Sequence, residues 1–141
     1  MKQLPSNFVQ MFPAMTQLEM GGCAFTMIPD QMSGIKLNRL GLSGGAMIQI
    51  SSGNSDFSGI KRLDLRSNVN LKTIGKNDFA SFSGLTTLSM NKCGLTFVDP
   101  AAFLELSALR ELNIAGNMLS TPSATWLNTG KLEVLLLYKN P

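Results

Sequence analysis

The phrases LSMNKCGLTFV (residues 88–98) and LNIAGNMLSTP (residues 112–122) overlay so that leucine meets leucine and Cys93 meets Asn117. A cysteine standing in for an asparagine leaves two readings. Cys93 is either a reactive thiol in an enzyme or redox sensor, or it does the same structural work as the asparagine. The rest of the chain decides between them.

The two phrases belong to a longer series. The pattern apolar-x-x-Leu-x-apolar occurs at Met15, Leu18, Met20; Leu37, Leu40, Leu42; Ile60, Leu63, Leu65; Leu85, Leu88, Met90; Leu109, Leu112, Ile114; and Leu132, Leu135, Leu137. The central leucines are spaced by 22, 23, 25, 24 and 23 residues. A fixed period of this length is the signature of a stacked repeat architecture. Within each phrase every second residue is apolar, which predicts a short strand. Three residues beyond each phrase stands Cys23, Gly45, Asn68, Cys93, Asn117 or Asn140. A further apolar set follows at Ile28, Ile50, Ile74 and Val98, and then a large residue at Met32, Phe57, Phe79, Phe103 and Trp126. One strand with its return segment cannot bury its own apolar face, so successive units must stack. A strand regained after a crossover of more than a dozen residues lies parallel to its predecessor.

The phrase L-x-x-L-x-L-x-x-N/C-x-L-x-x-I with a later Phe resembles the leucine-rich repeat family over essentially the whole chain. LRELNIAGNML (109–119) and IKRLDLRSNVNL (60–71) are the closest matches. A period near 24 and the phenylalanine-bearing return resemble the typical subclass; the plant-type GxIP phrase is absent. The second repeat departs most, with Gly45 at the Asn/Cys position and SSGNSDFSG (51–59) as its return. The resemblance implies an α/β right-handed solenoid with a parallel sheet on its concave face and short helical, 3-10 or irregular returns on its convex face. It divides the single domain 1–141 into a partial repeat over 1–14 and repeats starting near 15, 37, 60, 85, 109 and 132, the last one truncated. No cysteine-rich cap is visible at either end, so the expectation is a piece of a longer repeat array.

Composition limits the chemistry. The 141 residues suit one domain with a real core. There is no histidine, which removes the commonest general base, Ser-His and Cys-His nucleophile pairs, and the usual zinc ligand set. Two cysteines make no metal cluster, and no cofactor is expected. The chain reads as non-catalytic. No apolar run approaches the roughly 18–20 residues that span a bilayer, and the N-terminus does not read as a signal peptide. Any membrane-associated or extracellular placement would come through a larger parent protein.

In the family, the position after each strand holds Asn or, less often, Cys, whose polar group serves backbone atoms at the turn. The resemblance therefore assigns Cys23, Asn68, Cys93, Asn117 and Asn140 to a structural ladder. Three strand spacings of roughly 4.8 Å separate Cys23 from Cys93, far beyond the ~7 Å between Cα atoms that a disulfide allows, so no disulfide is expected.

The x positions of the strands face outward and offer a surface to a partner. They carry seven basic residues (39, 61, 62, 66, 92, 110 and 139) and four acidic ones (19, 64, 111 and 133), so the whole net charge of +3 lies there. The candidate contact residues are Arg39, Lys61, Arg62, Asp64, Arg66, Lys92, Arg110 and Tyr138. Such a face binds an acidic protein patch or another polyanion, or it is a solvated surface of mixed charge. Single-stranded nucleic acid needs stacking aromatics, and Tyr138 stands alone there, so nucleic acid is set aside. Tyr138 and Leu136 contact either a ligand or further chain. The function expected is a protein-interaction or ligand-recognition module. The alternative is a substrate-recruiting or regulatory segment of a larger enzyme, such as a receptor-like kinase or ubiquitin ligase.

Overall fold

The computed structural model describes residues 1–127 and 130–141. A short helix, α1 (Phe8–Met11), precedes eight strands: β1 (Gln17–Glu19), β2 (Arg39–Gly41), β3 (Arg62–Asp64), β4 (Thr73–Ile74), β5 (Thr87–Ser89), β6 (Phe97–Val98), β7 (Glu111–Asn113) and β8 (Val134–Leu136). Six of these form one parallel sheet in the order β1-β2-β3-β5-β7-β8. Its register is set by the leucines: Leu18, Leu40, Leu63, Leu88, Leu112 and Leu135 pair in one continuous line. A one-residue slip would turn every leucine to solvent, which is why the short strands hold this alignment.

The same backbone bond recurs at each step just past the strand. The N–H groups of Met20, Leu42, Leu65, Met90 and Ile114 donate to the carbonyls of Gly41, Asp64, Ser89, Asn113 and Leu136 at 2.7–3.0 Å. Inside, Leu40, Leu63, Leu88 and Leu112 are at most 1% exposed, whereas the outermost Leu18 and Leu135 are only half-buried. Full burial of one such side chain contributes about 2 kcal/mol, so the interior turns hold the molecule together more firmly than its ends.

The return segments vary, and each is anchored differently. Asp30–Met32 and Ala124–Leu127 form 3-10 turns. Beneath the returns runs an aromatic spine: Phe57 against Phe82 with ring centres at 5.0 Å, Phe82 against Phe79 at 6.0 Å, Phe79 against Phe103 at 5.9 Å, and Phe103 against Trp126 at 6.0 Å. Phe82 lies outside the sequence period, yet it joins Phe57 to the rest of the stack. The irregular return of the second repeat has no helix. Buried Ile50 and Phe57 pin its ends, and the Asp30 carboxylate accepts hydrogen bonds from the hydroxyls of Ser52 (2.7 Å) and Ser55 (2.5 Å). Those hydroxyls hold the Asp30 carboxyl below its usual pKa. Side-chain bonds thus replace the missing backbone turns. The third repeat has one extra residue between its ladder position and Ile74. There β4 pairs with β6 in a second, two-stranded parallel sheet, Thr73 beside Phe97 and Ile74 beside Val98.

Candidate functional site

The strand face stands on the turn that follows each strand, so its floor comes first. Asn117 fills its turn completely. Its side-chain oxygen accepts from the N–H groups of Cys93 (2.9 Å) and Leu95 (3.1 Å), and its Nδ2 donates to the carbonyls of Met90 (3.0 Å) and Ile114 (2.8 Å). Asn68 accepts from the Met47 N–H and donates to Leu42 and Leu65, and Asn140 accepts from the Leu119 N–H and donates to Ile114 and Leu137. Each asparagine therefore ties its own strand end to the preceding repeat.

Cys93 performs part of this work. Its thiol, fully buried, donates to the Leu65 carbonyl at 3.2 Å, the bond that corresponds to Asn117 on Met90. Burial pushes its pKa up to about 11, so the group stays protonated at neutral pH, unlike a nucleophilic thiolate. The two cysteines are both free. Cys23 differs from the other ladder residues. It is partly exposed, as Asn140 is, but among the described residues its sulfur makes no hydrogen bond. At Gly45 the ladder has no side chain, because an added Cβ would stand 2.7 Å from the Cys23 carbonyl oxygen and 3.0 Å from Asn68 Oδ1.

One residue before each ladder position the backbone turns left-handed. Gly22, Gly44, Ser67, Lys92, Gly116 and Lys139 all have φ between 59° and 70°. Glycine takes this conformation freely, whereas Ser67, Lys92 and Lys139 bear a steric cost there. Counted by spacing, Lys92 and Lys139 belong to the strand face. The structure puts them on a corner at its rim instead, with N–H groups of this row donating to the next repeat, Lys92 to Ala115 at 3.0 Å.

On the face proper, the residues flanking each central leucine form two rows. One runs Gln17, Arg39, Arg62, Thr87, Glu111, Val134; the other runs Glu19, Gly41, Asp64, Ser89, Asn113, Leu136. Three of the basic residues carry ion pairs within the chain: Arg39 with Glu19 at 2.6 Å, Arg66 with Asp64 at 3.1 Å, and Arg110 with Glu133. Asp64 is mostly covered and also accepts from the Arg66 N–H, so it is turned toward its own strand end. Among the described residues, Lys61, Arg62 and Lys92 have no carboxylate in salt-bridge range. Lys61 and Arg62 sit together on the third repeat, while Lys92 is apart from them on the rim. Tyr138 is 61% exposed beside the end strand β8.

Spacing alone did not indicate how the side chains fold over one another. A Cβ on Gly41 would meet Glu19 Oε2 at 1.7 Å, so the Glu19 side chain lies across Gly41 on its way to Arg39. Likewise the Lys61 ammonium stands 2.6 Å from where a Gly84 Cβ would be. The face therefore has glycine-made hollows that admit a charged group from the neighbouring repeat. A depression of about 340 Å³ lined by Gln17, Asn38, Arg39, Lys61 and Arg62 opens at its lower edge.

Comparison with known proteins agrees with this geometry. Residues 83–141 match the leucine rich repeat family. Over 72 residues, 51% of this chain, the sequence is 35% identical to the NT-3 growth factor receptor of Gallus gallus, and the shared stretch makes up 9% of that receptor. The family match takes in the last three strands of the six-stranded sheet, β5, β7 and β8, and the unbroken leucine register carries the same unit back to β1. The chain is a parallel-strand solenoid whose residues 83–141 are leucine-rich repeats.

Proposed function

We propose that this solenoid is a recognition module that binds a protein or peptide ligand on its strand face and performs no chemistry of its own. The observation that carries the reading is the placement of charge. With Lys92 and Lys139 on the rim, five basic residues and four acidic ones remain on the face, and its two adjacent unpaired cations, Lys61 and Arg62, stand on a central repeat. The paired arginines are half exposed, and ion pairs this open are worth at most ~1 kcal/mol, so an incoming ligand can re-partner them. Thr87, Ser89 and Asn113 beside them are small and polar, which suits close approach by a partner. The likeness to a growth factor receptor supports a receptor-like sensing role.

Affinity capture with three matched proteins tests the reading: the native chain, a double variant Thr87→Glu with Ser89→Glu that blocks the middle of the face, and Lys76→Glu away from it. Circular dichroism first establishes equal folding. The expected result is a partner captured by the native chain and by Lys76→Glu and lost by the double variant. A partner retained by the double variant places recognition elsewhere on the molecule and ends this proposal.

A further inference from the structure

Arg39 and Arg62 occupy directly neighbouring positions on adjacent parallel strands. Like charges so placed repel, and no other step of that row sets two cations side by side. Lys61 adds a third positive charge at the same edge of the sheet. The chain offsets this repulsion from one side alone. Glu19 reaches across the hollow at Gly41 to neutralise Arg39, and Arg62 keeps no acidic partner among the described residues. Arg39 and Arg62 also wall two depressions, the larger one named above and a second of about 90 Å³ that includes Thr87, Ser89 and Asp64, whose carboxylate is held by Arg66. Asn38 and Gln17 complete the larger one with uncharged polar groups. A local arrangement that costs stability and is compensated only in part inside the chain is the expected mark of a functional position.

We infer that the Arg39–Arg62 pair, with Asn38 and Lys61, is a pocket for a carboxylate side chain of the ligand, and that Glu19 occupies part of it in the free protein. The inference rests on the strand-face reading and refines it, naming an acidic peptide segment as the chemistry recognised. Binding is an exchange. The ligand carboxylate takes the fork of Arg62 and competes with Glu19 for Arg39. Guanidinium planes present paired N–H donors that match a carboxylate, which makes two of them a better receptor than an isolated lysine.

The test uses fluorescence anisotropy with a labelled oligoglutamate peptide and an oligoglutamine peptide as the uncharged reference, at low salt where exposed charges act fully. The native chain binds oligoglutamate in preference to oligoglutamine. Arg62→Gln weakens that binding about tenfold. Glu19→Gln strengthens it about threefold, because the resident carboxylate is gone, while Glu133→Gln, which removes an equal charge at the far end of the face, changes it less than about twofold. Equal gains from Glu19→Gln and Glu133→Gln would mean a diffuse field with no pocket. Native-like binding by Arg62→Gln, or no preference for oligoglutamate, likewise overturns the inference. These failures differ from failure of the broader reading: a ligand still lost by the Thr87→Glu and Ser89→Glu variant would keep the strand face as the binding surface with this pocket removed from it.

Discussion

Asn117 closes five backbone groups at one turn, two N–H donors of the preceding repeat and three carbonyls. A buried polar group left without a partner costs more than an ordinary hydrogen bond contributes, so the loss falls on several atoms at once. Asn117→Ala is expected to destabilise the fold by about 3 kcal/mol in urea unfolding followed by circular dichroism, and Asn140→Ala, half-buried in the last turn, by about 1 kcal/mol. Equal costs at the two positions would show that the ladder owes nothing to burial. The period made this ladder legible in the sequence, because Asn and Cys recur at a fixed distance from each strand. Its interruption at Gly45 was legible only as a departure. The reason, a carbonyl oxygen and an asparagine oxygen crowding the missing side chain, belongs to two other repeats. Cys93 answers the question its position poses: a protonated, buried thiol offers a single proton, nearest the Leu65 carbonyl, where the asparagine amide offers two.

Among the elements, the strands are the most predictable and the returns the least. A strand of three residues is specified by one inward leucine and its neighbours. A return is specified by whatever its own composition can fasten down, such as serine hydroxyls on Asp30 in one repeat and a second strand pair in another. The passage from return to strand is tight at Gly84, where an added Cβ would lie 2.2 Å from the Ser58 carbonyl oxygen and also strike Lys61. Backbone cannot move aside as a side-chain tip can. Gly84→Ala is therefore expected to cost about 2 kcal/mol, read as a lowered thermal midpoint, and an unchanged midpoint would refute the close approach. No local pattern marks this glycine, since its neighbour is an atom 26 residues earlier in the chain. The hollow at Gly41 escaped notice for the same reason.

For the molecule as a whole, stacking makes stability depend on place. Units in the middle of a solenoid are supported on both sides and those at its ends on one. Leu63 and Leu88 are essentially inaccessible, whereas Leu18 and Leu135 are not. Amide hydrogen exchange is expected to be slowest in β3 and β5 and faster in β1 and β8, and uniform protection across the sheet would argue for a single indivisible unit. The unequal repeat lengths never disturb the leucine line, because every surplus residue is taken up on the return side. That constancy gives the strand face the character of a ruler, graduated at the roughly 4.8 Å spacing of paired strands. An extended peptide laid across it turns a side chain toward the sheet about every 6.6 Å, so its side chains and the graduations drift out of step and meet again after about 20 Å. Every sixth residue of such a peptide would come over every fourth strand, so the sheet would read it in steps of six.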